Sequence, residues 1–211
     1  INGADSTFGS DNNNITFADG GATGISIDLG AGANLNINTE VGGTGAGNIA
    51  INAAIKRIAA GDGDDALDVT LNSGSGTISV EAINTGINDV SLTGATITLN
   101  DDITTAADSD DTNGDGVDGA VYIDGAALLE TVADIAIDTS SSNGSVSFTG
   151  TVNSAGNKTL TITSGTGAVD FAGVIGGVAD KHLTGLDINS SSGSGTIDIL
   201  QIGDTTGPEH G

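Results

Sequence analysis

The chain has 211 residues and a net charge of −24, with four basic residues against 28 acidic ones. That balance excludes nucleic acid and anionic membrane surfaces as partners, because phosphate neutralisation needs a basic footprint. Cysteine is absent, so there is no disulfide framework, and no apolar run is long enough for membrane insertion. An acidic surface suits solubility, divalent cations or a saline exterior. Methionine is absent even at position 1, and no signal peptide is present. The expectation is a processed or excerpted product.

Apolar residues are mostly Ile, Val, Leu and Ala, and the aromatics are only Phe8, Phe17, Tyr122, Phe148 and Phe171. Such a composition fills a thin core, not a thick one. Glycine is frequent at 35 residues and proline occurs once, which keeps strands intact and turns tight.

In chain order, short alternating runs predict strands. Ile15 and Phe17 are expected to pair with Ile25, Ile27 and Leu29, and Leu35 and Ile37 with Ile49 and Ile51. Residues 50–61 read as a short helical turn or a coil corner, with Lys56 and Arg57 facing solvent. Leu67, Val69 and Leu71 are expected to pair with Ile78 and Val80, and Val90 and Leu92 with Ile97 and Leu99. After an acidic insertion near residues 104–119, Val121 and Ile123 stand alone. Residues 125–135 place Leu128, Leu129 and Val132 at helical spacing and also suit a coil corner. Three further pairs follow: Ile135 and Ile137 with Val146 and Phe148, Leu160 and Ile162 with Val169 and Phe171, and Leu186 and Ile188 with Ile197 and Ile199.

These strand–turn–strand units recur roughly every 23 to 26 residues, which marks a stacked repeat. The predicted fold is all-β, a parallel β-helix (β-solenoid) of about seven to eight coils. Residues 1–211 form one segment, with the repeat clearest over 67–202 and a tail at 203–211. Paired strands about 4.8 Å apart give a rod on the order of 35–40 Å. Phe148 and Phe171 fall at the same place in successive units and should stack inside. Asp170 and Asp198 fall at equivalent outward positions, where like charges repel unless screened or bridged. Neither end reads as a cover for an open coil, so the expectation is a longer chain or subunits stacked end to end.

Two stretches read as calcium loops. The DTNGDG run starting at Asp111 fits the start of a D-x-[DN]-x-[DN]-G loop. Asp111, Asn113 and Asp115 would give side-chain oxygens, Val117 a carbonyl, and Asp118 a carboxylate on an altered path. It resembles the loops of EF-hands, dockerins and thrombospondin-type repeats, but Tyr122 stands where a bidentate Glu belongs. The alternative is a solvated acidic insertion. The AGDGDDALD run ending at Asp68 resembles one repeats-in-toxin nonapeptide, with Asp65 as the ligand, although a turn entering a strand explains it equally. Calcium is the one cofactor expected. Catalysis is not: the two histidines are His182 and His210, and no aromatic platform accompanies the carboxylates.

The units over residues 144–177 resemble the repeats of large bacterial surface proteins, the filamentous-haemagglutinin-like exoproteins and related giant adhesins. The resemblance is clearest over residues 67–202 and implies a secreted parallel β-helix at the cell surface. The expected function is that of a non-enzymatic extracellular structural protein. It would serve as a stiff fibre, adhesin stalk or matrix filament, self-associating or continuing in a longer chain, with surface glycans as partners. The alternative is a carbohydrate-binding or carbohydrate-processing β-helix.

Overall fold

The structure is a computed structural model that describes residues 6–18, 26–30, 34–41, 47–57, 67–107, 119–129, 133–190 and 195–203. Among the described residues, eighteen strands form one sheet. They are β1 (Ser6–Gly9), β2 (Ile15–Ala18), β3 (Ser26–Leu29), β4 (Leu35–Asn38), β5 (Ile49–Asn52), β6 (Ala54–Arg57), β7 (Leu67–Asn72), β8 (Thr77–Val80), β9 (Ile83–Leu99), β10 (Ile103–Thr105), β11 (Val121–Leu129), β12 (Ile135–Asp138), β13 (Val146–Phe148), β14 (Val152–Ser154), β15 (Thr159–Gly165), β16 (Val169–Ile175), β17 (Gly185–Ser190) and β18 (Ile197–Ile202). Every pairing between these strands is parallel. The described residues contain no helix.

The pairings trace three ladders. The first runs through β1, β4, β7, the middle of β9, the start of β11, β13, and the starts of β16 and β18. The second runs through β2, β5, β8, the ends of β9 and β11, β14, and the ends of β16 and β18. The third joins β3, β6, the start of β9, β10, β12, β15 and β17. The chain is therefore a parallel β-solenoid whose coils visit three faces.

That third face changes the reading of the repeat. Consecutive strands lie on different faces, and Ile15 pairs with Ile49 one coil later. The Leu67 unit spans the first and second faces, whereas the units opening at Ile135, Leu160 and Leu186 span the third and first. The step between rungs is 23 residues from Asn143 to Thr166, 21 from Asp68 to Asp89, and 34 from Asn14 to Asn48. Corners absorb insertions without disturbing the ladders, so the period of 23 to 26 residues holds only locally.

Alternation sets the inside. In β7, Leu67, Val69 and Leu71 are buried while Asp68, Thr70 and Asn72 are half-buried. The same pattern gives one aliphatic core from Leu29 to Ile175. Phe148 and Phe171 occupy facing rungs, with ring centroids 4.9 Å apart and planes 2° from parallel. The expected internal stack is present.

Val121 and Ile123 do not stand alone, since they pair with Val90 and Leu92 on one side and Val146 and Phe148 on the other. Nor do the described parts of the two ambiguous stretches form helical turns. Residues 49–57 are two strands bent at Ala53, with Lys56 Nζ 3.7 Å from Asp28 Oδ1. Residues 125–129 continue β11, burying Leu129 and turning Leu128 outward. Val132 lies outside the described residues. Pairing on both edges outweighs the local helical spacing there.

The corner between the first and second faces is a column of glycines. A Cβ on Gly150 would sit 2.4 Å from the Gly125 carbonyl oxygen, and one on Gly173 would sit 2.1 Å from the Gly150 oxygen. Backbone from successive coils meets there with no room for a side chain. Other corners bury hydroxyls. Thr39 Oγ1 donates to the Gly47 carbonyl at 2.8 Å, Thr105 Oγ1 to Gly119 at 2.7 Å and Thr139 Oγ1 to Gly144 at 2.6 Å. Each satisfies a turn carbonyl inside the coil.

Candidate functional site

Where each face begins, an Asn or Asp precedes the first inward aliphatic residue. Its side chain accepts a hydrogen bond from the backbone N–H of the matching residue one rung on. On the second face Asn14 Oδ1 accepts from Asn48 N and Asn48 Oδ1 from Thr77 N, both at 2.9 Å. On the third, Asp102 Oδ1 accepts from Ala136 N at 2.7 Å and Asp134 Oδ1 from Thr159 N at 2.9 Å. On the first, Asn34 Oδ1 accepts from Asp68 N at 2.8 Å, Asp68 Oδ1 from Asp89 N at 3.3 Å and Asp89 Oδ1 from Ala120 N at 2.7 Å. Each such bond contributes about 1 kcal/mol and less where water competes. The sequence signal was an Asn or Asp directly before Ile, Val or Leu at strand starts, which reads as turn chemistry until the register is known.

The first-face ladder forms one side of a hollow. It has a volume of about 340 Å³ and is lined by Asp68, Thr70, Asp89, Ser91, Ala120 and Tyr122 over the backbone of Val69 and Val90. Tyr122 projects from β11 between Ser91 and Ser147 of the neighbouring rungs. Beside those small neighbours Tyr122 is 42% exposed. Phe148 and Phe171 are buried, and Phe8 and Phe17 are half-buried in edge-to-face contact at 5.3 Å. Tyr122 is thus the only exposed aromatic ring of the chain. Read from the sequence, it was merely the residue that interrupts a calcium loop.

A second hollow, of about 250 Å³, lies among Ile175, His182, Leu183, Leu186 and Ile202. His182 Nδ1 is 2.9 Å from the Gly176 carbonyl oxygen. Facing a carbonyl, that nitrogen carries the proton and the imidazole pins the turn after β16.

The residues expected to hold calcium, Asp65, Asp111, Asn113, Asp115, Val117 and Asp118, lie outside the described residues. Among the described residues, no group of three or more His, Asp or Glu side chains converges to hold a metal ion. Asp124, beyond the insertion, accepts from Thr149 Oγ1 at 2.6 Å. Asp170 and Asp198 are in register on adjacent rungs, as the repeat implied. At the same rung of β18, Ile197, Leu200 and Ile202 are 47%, 66% and 66% exposed. Comparison with protein-family models, with curated proteins and with solved structures returned no match.

Proposed function

We propose that this chain is a non-enzymatic extracellular structural protein, a length of stiff rod in a bacterial-type cell-surface fibre, adhesin stalk or matrix filament. The observation that carries the reading is the in-register stacking of three parallel ladders around one aliphatic core. Such an array resists bending because every coil is hydrogen-bonded to its neighbours along all three faces. Its outward residues are mainly Ser, Thr, Asn and Asp, a solvated coat suited to a rod and not to a deep catalytic cleft.

The exposed aliphatic residues of β18 support a further rung above them. Val169, Phe171 and Ile175 of the rung below are 1–2% exposed, while Ile197 and Ile202, which pair with Val169 and Ile175, stand open. A second copy or a continuing chain would cover them. Calcium held by the acidic insertion at Asp111, Asn113 and Asp115 would screen the charge of such a fibre.

Negative-stain microscopy tests the reading. Regular fibres with a constant axial repeat are expected, and monodisperse particles at all protein concentrations would remove the assembly from it. Thermal melts in calcium and in chelator test the ion: the midpoint should fall in chelator, and coincident midpoints would eliminate calcium.

A further inference from the structure

We infer that the hollow beside Tyr122 binds an alkylammonium group, as found in a lysine side chain or a polyamine. This goes beyond the structural role and does not depend on it.

The argument begins with the ring. Tyr122 is 42% exposed, and the faces of its ring present the negative lobe of the aromatic quadrupole. Its neighbours on the adjoining rungs are the small residues Ser91 and Ser147. Beside it, the hollow of about 340 Å³ is large enough for a small organic group. Its lining holds two carboxylates, Asp68 and Asp89, and no basic residue. Both carboxylates are fixed in place, because their Oδ1 atoms take backbone N–H groups of the next rung. A ligand therefore meets preset negative charge without ordering those side chains.

The chemistry narrows the ligand. An anion is repelled by both carboxylates and by a net charge of −24. No three carboxylate or imidazole groups converge among the described residues, so nothing there favours a bare metal ion over an organic cation. A protonated amine satisfies all parts together. Its N–H groups donate to Asp68 and Asp89, with Thr70 and Ser91 as further acceptors, and its methylenes and charge lie against the Tyr122 ring.

The chain carries its own probe. It has one tyrosine and no tryptophan, so its intrinsic fluorescence comes from Tyr122 alone. Titrating n-butylammonium, spermidine or N-acetyl-lysine amide in 0.15 M salt should give a saturable change in that emission, and uncharged n-butanol should give none. The ratio of the spermidine and lysine-amide affinities tells a free polyamine from a side chain. The double variant Asp68→Asn with Asp89→Asn keeps the Oδ1 acceptors of the ladder, so far-UV circular dichroism should be unchanged while affinity drops roughly tenfold. Asp138→Asn with Asp187→Asn removes equal charge from the third face and should leave affinity within about twofold. Absence of a saturable response overturns the inference. So does equal weakening by the two double variants, or a response to neutral methyl glucoside in place of the amines.

Discussion

Gly150→Ala is the sharpest test of how the coils stack. The new Cβ would lie 2.4 Å from the Gly125 oxygen, 2.5 Å from its carbonyl carbon and 2.8 Å from Ala126 N. All three are backbone atoms, so no rotamer change relieves the overlap. That backbone is also held to the same rung on both sides: Thr149 N donates to the Ile123 carbonyl at 3.0 Å and Ala127 N to the Thr151 carbonyl at 2.8 Å. Rungs sit about 4.8 Å apart, and regaining normal contact needs close to 1 Å more at this corner. Overpacking of this kind costs about 1–3 kcal/mol, and the two weakened hydrogen bonds add about 1 kcal/mol each. The expected loss is thus about 3–5 kcal/mol. Gly185→Ala is the control, because its nearest neighbour is the Thr159 Cγ2 methyl at 3.2 Å. It should cost less than about 1 kcal/mol. Urea unfolding followed by far-UV circular dichroism measures the whole array. Tyr122 fluorescence reports on β11, the strand that contains Gly125, so local opening should appear there first. A Gly150→Ala protein that unfolds within about 0.5 kcal/mol of the parent, or no more easily than Gly185→Ala, would refute the glycine column.

Phe171→Ala should destabilise by about 3–5 kcal/mol in the same assay, since the ring is 1% exposed. In a double-mutant cycle, Phe148→Leu and Phe171→Leu should show a coupling of about 1 kcal/mol from the stacked pair. Asn48→Ala removes the acceptor of Thr77 N and should cost about 1 kcal/mol, whereas Asn48→Asp, which keeps an acceptor there, should cost clearly less. Asp170→Asn relieves repulsion across the rung from Asp198, so its melting midpoint should rise at low ionic strength, and the gain should shrink in 1 M salt.

The faces of this solenoid were legible because alternation is a property of single strands. Leu67, Val69 and Leu71 announce an inward side wherever the strand is placed, and Phe148 and Phe171 could be matched by their position within a unit. The number of faces was not legible. A solenoid corner is made by whichever short segment fits, so Ala53 can turn the chain after a four-residue strand or a long insertion can do so elsewhere. A reader of the sequence therefore sees pairs of strands and groups them across different corners. Within β9 the corner between Leu92 and Ile97 showed as a break between two runs, whereas the third-face strand at Ile83 did not show, because its partners Ile55 and Ile103 lie on neighbouring coils. The sequence marked Tyr122 as the residue standing where a loop glutamate belongs; its exposure beside Ser91 and Ser147 depends on residues one rung away and far along the chain. The calcium-loop residues fall outside the described structure, so their pattern in the sequence still stands as a proposal only.

The corner ladders separate what the fold requires from what the charge adds. Asn14 and Asn48 perform on the second face the same task that Asp102 and Asp134 perform on the third: each offers one side-chain oxygen to the N–H of the next rung. The first face mixes the two, with Asn34 followed by Asp68 and Asp89. A neutral amide therefore suffices for the bond. Choosing Asp sets like charges on successive rungs, where two unit charges about 5 Å apart repel by about 1 kcal/mol even in water. The hydrogen bond does not account for that choice, because asparagine makes it without the repulsion. The charge must be explained by what surrounds the rod: solvation of a fibre, attraction of cations, or, beside Tyr122, the capture of an amine. That is why the Asp-to-Asn variants are informative. They leave the ladder intact and change only the field, so a loss of ligand without a loss of fold assigns the carboxylates to binding, and the reverse outcome assigns them to the rod.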